Sequence, residues 1–334
     1  MESACPAQVT APVCADRIGV ARLTKMAVSG NDLHPLWQQL ITKVLDGSAE
    51  AGEGLDLSLI VQLLGDKESG LAIQDEILAS HQLFRSPCSV QAPRLRVLAL
   101  AAATDIGSNT PIEFLLERSG IELMTLYVIP QVELPASLPD HDVAIVIASD
   151  SVDCREALRK IELMASRWPR PLLNPPRLVG NLDRDKLHHL LDGIEGLEIP
   201  ATIGVTRQQL FEVSQSTAAL GDIAADLAFP VIVRPRGSHA GAGLAKIDDA
   251  PAMTRYLGER HEQEFFVSRF VDYSGDDGLF RKCRIVFIDG QAYACHMAVA
   301  ARWDIWYLNA GMSASPSKRL EEESFMRTDR KSVV

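Results

Sequence analysis

The sequence predicts a chain of mixed α/β and α+β class, with a small helical unit ahead of a parallel α/β layer and a glycine-bearing α+β lobe behind it. Three observations carry that expectation. Apolar residues recur at helical spacing between Leu33 and Leu83. Short apolar runs alternate with helical stretches between Leu95 and Asn174. After Pro230 the chain turns to strands separated by glycine-containing turns.

Leu33–Leu45 places Leu33, Leu36, Trp37, Leu40, Val44 and Leu45 on one stripe, and the spacing continues through Asp56–Leu64 and Ala72–Leu83. This predicts a small antiparallel helical unit over residues 31–90. A lone repeat-like unit does not bury its apolar face by itself, so the stripe is expected to pack on the rest of the chain or on a second copy. A homo-oligomer or a protein partner held through residues 33–85 is the matching expectation. Residues 1–30 are alanine-rich but interrupted by Pro6, Pro12, Asp16 and Arg17. That pattern lacks a signal-peptide core and predicts a poorly ordered leader.

Ser86–Pro93 carries two prolines and reads as a linker. Apolar runs at Leu95–Ala101, Leu123–Ile129, Val143–Ala148 and Pro171–Asn174 then alternate with helices at Pro111–Ser119 and Cys154–Ser166, the pattern of a parallel sheet over residues 94–200. The loop after the first run departs from G-x-G-x-x-G, so a dinucleotide fingerprint is absent. Its Asp105, Ser108, Asn109 and Thr110 sit where open α/β sheets bind ligands, or cap the next helix in the ordinary way. Asn181–Leu191 is a helix with Lys186 on its first turns. Ile199–Thr202 leads as a linker into a second lobe, residues 201–334, where Gln208–Leu220 and Asp222–Leu227 add helices.

Phe229–Asp248 reads F-P-V-I-V-R-P-R-G-S-H-A-G-A-G-L-A-K-I-D. An apolar run ends in Arg234 and opens into a loop of small residues whose backbone can approach a ligand closely. Loop amides and a guanidinium together suit a polyphosphate; the same residues also make an ordinary hairpin with a surface arginine. Glu264–Val271 is a strand dense in aromatics, and a flat apolar slot between such a strand and a hairpin suits a purine ring. Asp272, Asp276 and Asp277 follow with acceptors for ribose hydroxyls. Arg284–Tyr293 forms a hairpin turning at Asp289-Gly290, a strong turn signal.

The formal net charge of −11, with no basic cluster, argues against nucleic acid as a partner. No apolar stretch reaches the ~18 residues of a membrane span. Six cysteines are scattered without a C-x-x-C pair, which fits reduced thiols in a cytoplasmic protein.

Taken in order, five segments resemble the ATP-grasp superfamily over roughly Leu95–Met312. They are N-P-P to D-R-D-K-L (Asn174–Leu187), L-E-I-P-A-T (Leu197–Thr202), F-P-V-I-V-R-P-R-G-S-H-A-G-A-G (Phe229–Gly243), the aromatic strand, and C-R-I-V-F-I-D-G (Cys283–Gly290). The helical front end resembles the tetratricopeptide-like region that precedes some members. The resemblance implies ATP bound between two lobes, and a ligase that joins a small carboxylate or peptide to an amine through an acyl-phosphate.

Residue by residue, it implies Lys186 and Arg234 as phosphate-contacting cations and Gly237, Ser238, Gly241 and Gly243 as the loop over the phosphates. Ser268, Arg269, Phe270 and Val271 would meet adenine, Asp276 or Asp277 the ribose, and Arg284 would be the catalytic cation near the transferred phosphate or acceptor carboxylate. ATP and Mg2+ are the implied cofactors. The family's acidic residue and E-x-N pair have no counterpart after Met312, and consecutive Glu321, Glu322 and Glu323 point to different faces of any helix. Metal ligands are therefore not identifiable, and the last lobe is expected to be truncated. The alternatives are a truncated nucleotide-binding protein without turnover, or a helical interaction module on a degenerate scaffold.

Overall fold

The computed structural model describes residues 14–135, 137–238, 241–305 and 309–328. The chain divides into two compact units between Leu187 and His188. In the first, β1 (Ala15–Asp16), α1 (Val20–Val28), α2 (His34–Leu45), α3 (Ala51–Leu63), α4 (Lys67–Leu78) and β2 (Leu83–Arg85) precede β3 (Leu95–Ala102), α5 (Glu113–Leu116) and β4 (Ile121–Val128). β5 (Val143–Val146), α6 (Arg155–Ala165), β6 (Leu172–Leu173) and α7 (Pro176–Val179) complete it.

The strands form one sheet in the order β1-β2-β4-β3-β5-β6. The expected parallel part is present in β4, β3, β5 and β6, with β2 antiparallel to β4 at its side. Leu98, Leu100, Met124, Leu126, Ala144 and Val146 pack beneath Ala157, Leu158 and Ile161 of α6. Val97, Ala99, Ala101, Leu123 and Tyr127 pack beneath Leu55 of α3 and Leu78 of α4. Cover on both faces is why β3 and β4 read as continuous apolar runs.

The helical front end is thus a layer of this unit. α3 is buried on all sides: Leu55 turns to the sheet, while Leu57 and Ile60 meet Leu23, Leu33 and Leu40. A mostly apolar helix whose buried Asp56 and Ser58 have partners suits that central position. Glycine sets two of its contacts, since a Cβ on Gly52 would lie 1.8 Å from Asp16 O, and one on Gly70 2.9 Å from Ser58 O.

The leader expected over residues 1–30 contributes β1 and α1 from residue 15 onward, and residues 1–13 lie outside the described residues. Arg17 is buried, its Nε 3.3 Å from Asp56 Oδ1. The same carboxylate accepts from Ile18 N and, at 3.2 Å, from Gly19 N. A charge answered by a partner 39 positions away has no local signature in the sequence. Leu83, expected at the end of a helix, begins β2 instead; a three-residue strand carries no period that separates it from helix. The helix expected over Pro111–Ser119 shortens to the four residues of α5.

α8 (Arg184–Leu191) spans the division. The second unit continues with β7 (Thr202–Thr206), α9 (Arg207–Ser214), α10 (Leu220–Ile223), β8 (Val231–Pro235), β9 (Ala245–Ile247), α11 (Ala250–Gly258) and β10 (Glu264–Arg269). These strands form an antiparallel sheet in the order β7-β10-β8-β9. Val205, Val231, Val233, Ile247, Phe265 and Val267 pack on Leu210, Val213, Met253 and Leu257 of the helices. Thr202, expected as the end of a linker, opens the edge strand β7. α9 opens with a capping box in which Gln209 N donates to Thr206 Oγ1 at 3.3 Å and Thr206 N to Gln209 Oε1 at 2.9 Å.

β11 (Phe280–Ile288) and β12 (Gln291–Ala300) form a separate two-stranded sheet. Asp289 and Gly290 turn it at φ 51° and 73°, both positive as a two-residue hairpin turn requires. The charged run after Met312 is α12 (Pro316–Thr328), which packs on β12. Phe325 joins Met297, Val299 and Met312 in a small core, and Glu322 is buried with its Oε1 3.3 Å from Met297 N.

Tyr256 on α11 is 8% exposed and its Oη donates to Gly243 O at 2.7 Å. Burial, eased in part by Arg260, pushes the phenol up to about 12. A folded-state value raised above the unfolded one, about 10, adds stability that is complete below that pH and is lost as pH rises through 12. At roughly 1.4 kcal/mol per unit the contribution is about 3 kcal/mol. Tyr256→Phe is expected to abolish that alkaline loss in denaturant unfolding followed between about pH 9 and 12. An alkaline slope equal to wild type would assign the titration to another group.

Candidate functional site

Strand alternation sorts the four-stranded sheet of the second unit into a core face and a second face. Val231 and Val233 of β8, Ala245 and Ile247 of β9, and Phe265 and Val267 of β10 face the core. Ile232, Arg234, Lys246, Phe266 and Ser268 therefore face the other way. The register aligns Thr202, Ser268, Ile232 and Lys246 in one row, and Gly204, Phe266 and Arg234 in the next. Two cations and an aromatic ring share that face.

Lys246 Nζ lies 4.4 Å from the centroid of the Phe270 ring and 3.3 Å from Asp248 Oδ1. The guanidinium of Arg236, just past β8, lies 5.2 Å from the centroid of Phe266. Phe270 meets Trp303 edge to face at 6.0 Å, and Tyr273 meets Phe280 at 4.9 Å, so aromatic contacts continue from the sheet to the β11–β12 hairpin.

The loop between β8 and β9 folds back on the strand it leaves. Gly237, Gly241 and Gly243 have φ of 73°, 80° and 65°, and a Cβ on Gly243 would lie 2.6 Å from Pro235 Cδ, so this position needs glycine twice over. Arg234 Nε donates to Ser238 Oγ at 3.1 Å, and its Nη2 donates to Ser238 Oγ at 3.0 Å and to Ser238 O. The guanidinium is thereby fixed at the base of the loop. His239 and Ala240 lie outside the described residues. A fixed guanidinium, a positive-φ loop and an ammonium seated on an aromatic ring suit a polyanion that carries a flat ring.

The remaining expected residues take other positions. Ser268 and Arg269 lie in β10, which is paired on both sides by β7 and β8. Phe270 N donates to Pro230 O at 3.1 Å, and Val271 lies past the ladder. Arg269 pairs with Glu198. Asp277 is engaged within its own loop, 2.7 Å from Arg281 Nη2 and 3.0 Å from Leu279 N, and Arg281 holds its carboxyl down at about 2. Asp276 is exposed in the same turn. Arg284 is exposed on β11, opposite His296 at a β-bulge and in a different sheet from Arg234. Lys186 belongs to the first unit, exposed on α8, with its Nζ donating to Gly180 O at 3.0 Å.

In the first unit the loop after β3 is held by its own side chains. Asn109 exchanges two hydrogen bonds of 2.9 Å with Ala102, and Ser108 Oγ donates to Asp105 Oδ1 at 2.7 Å. Among the described residues no three His, Cys, Asp or Glu side chains gather as metal ligands. Glu321 binds Arg281, Glu322 binds Met297 N and Glu323 binds Arg327, so the acidic run does not fit a magnesium site. Lys246, Arg236 and Phe266 were not singled out in the sequence. The alternation of Ala245, Lys246 and Ile247 was the available signal for the first of them.

No protein-family description and no curated protein sequence matches the chain. Among solved structures it is similar to a RimK domain protein ATP-grasp from Sphaerobacter thermophilus, at 19% identity over 68% of this chain and 81% of that one, with a TM-score of 0.36. It is similar to the VanG D-Ala:D-Ser ligase from Enterococcus faecalis, at 12% identity over 61% and 69%, with a TM-score of 0.37. A third is the carboxyaminoimidazole ribonucleotide synthase from Aspergillus clavatus complexed with ATP, at 13% identity over 63% and 55%, with a TM-score of 0.38.

Proposed function

We propose that this chain is an ATP-grasp-type ATP-binding protein whose ligase ancestry is carboxylate–amine joining through an acyl-phosphate. The observation that carries the reading is the non-core face of the β7-β10-β8-β9 sheet, where Arg234, Lys246 and the loop from Gly237 to Gly243 gather. On this reading Arg234 and the loop amides hold the phosphates, and the Phe266 and Phe270 side chains border the purine. Phosphoryl transfer needs charge neutralised as it develops, and a guanidinium already oriented by Ser238 supplies that without reorganising. Arg284 and Lys186 keep their roles through the sequence resemblance alone. The described cysteines are free thiols, which supports a reducing, cytoplasmic setting. No described helix is long and apolar enough to cross a membrane.

Release of inorganic phosphate from ATP, followed with magnesium across a panel of small carboxylates and amines, tests the ligase half of the reading. Phosphate release that depends on both substrates supports it. ATP binding without release under any pairing leaves the nucleotide-binding protein and removes the ligase.

A further inference from the structure

A cavity of mixed apolar and polar lining lies inside the first unit, on the sheet face covered by α3 and α4. Its volume is about 60 Å³. Since about 10–15 Å³ of such space holds one water, there is room for roughly four atoms of that size. Leu55, Leu123 and Ile147 supply apolar wall, and Gln74 of α4 with Thr125 and Tyr127 of β4 supply polar wall. Gln74 is 5% exposed, and its Oε1 meets no hydrogen-bond partner among the described residues.

Neighbouring polar groups are already engaged. Tyr127 Oη accepts from Arg17 at 3.5 Å, and Gln62 Oε1 accepts from Ile106 N at 3.1 Å. A buried acceptor beside open space calls for a donor to occupy that space. Charge selects the kind of donor. Arg17 is answered by Asp56 and Lys67 by Asp105, while the carboxylate of Glu113, also on the wall, accepts from the neutral donors Ala21 N at 2.9 Å and Ser86 Oγ at 2.8 Å. One negative charge is in excess.

We propose that this cavity binds a small cationic hydrogen-bond donor, an ammonium ion or a primary amine of up to about four non-hydrogen atoms, with Gln74 Oε1 as its acceptor. Asp105 reaches the cavity on one side and on the other pairs with Lys67, whose side chain is 60% exposed, so this ion pair marks the way in. The cavity shares no residue with the nucleotide reading and is independent of it.

Thermal unfolding of the full chain in ammonium chloride and in ethanolamine hydrochloride, each against tetramethylammonium chloride at equal concentration, tests the proposal. The control cation carries charge but no N–H. Either donor should give a saturable rise in Tm of at least about 2 °C over the control. Gln74→Leu should lose the rise and Gln74→Glu should keep it. An equal rise in tetramethylammonium, or an undiminished rise in Gln74→Leu, overturns the proposal. Should Gln74→Leu fail to fold, a crystal structure of the full chain grown with ethanolamine decides the matter. An amine nitrogen within hydrogen-bond reach of Gln74 Oε1 supports the site, and water alone in the cavity refutes it.

Discussion

Replacing Asp56 with alanine is expected to lower the stability of the protein by about 3–5 kcal/mol, the cost of breaking a buried ion pair by removing one partner. Asp56 is 1% exposed and Arg17 8%. The lost carboxylate would strand the guanidinium and the backbone N–H groups of Ile18 and Gly19, and with them the attachment of β1 and α1. Burial pushes the Asp56 carboxyl upward more than Arg17 and the two amides pull it down, so the intact pair is itself a weak source of stability. Arg17→Met combined with Asp56→Leu removes the stranded guanidinium and should recover part of what Asp56→Ala loses, the Ile18 and Gly19 amides still lacking their acceptor. Urea unfolding of the wild type and the two variants measures this. A loss below about 1 kcal/mol for Asp56→Ala, the value of an exposed pair, would contradict the account.

Arg234→Ala is expected to weaken ATP binding by more than tenfold. Tenfold corresponds to about 1.4 kcal/mol, within the range of one charge-assisted hydrogen bond. Arg234→Lys keeps the charge but not the planar fork that reaches Ser238, so it should fall between wild type and the alanine variant. Ser238→Ala keeps the guanidinium and loosens its seat, and about a threefold loss is expected. If affinity in Arg234→Ala equals that of wild type, Arg234 is not a phosphate ligand.

What the sequence made legible was whatever depends on local period. The parallel runs of β3, β4 and β5 and the Asp289-Gly290 hairpin are local signals, and each lies where its residues predict. The first strand and helix were hidden because Arg17, which only interrupts the alanine-rich stretch, meets Asp56 across the fold. β2 and β7 were hidden for a different reason: strands of three and five residues owe their pairing to neighbours distant in sequence.

The site divides the same way. Arg234 and the glycines lie within one hairpin, so their proximity follows from adjacency in the chain. Lys246 reaches the same face only through strand alternation, and the partners that occupy Asp277, Arg269 and Glu322 depend on how loops and α12 come back to the strands.

The most direct test of the central claim is calorimetric titration of the full chain with ATP, with and without magnesium. The account predicts saturable binding at one site per chain, weakened more than tenfold in Arg234→Ala. Absence of binding in both conditions at millimolar nucleotide would contradict it, and the non-core face of the four-stranded sheet would then not be an ATP site.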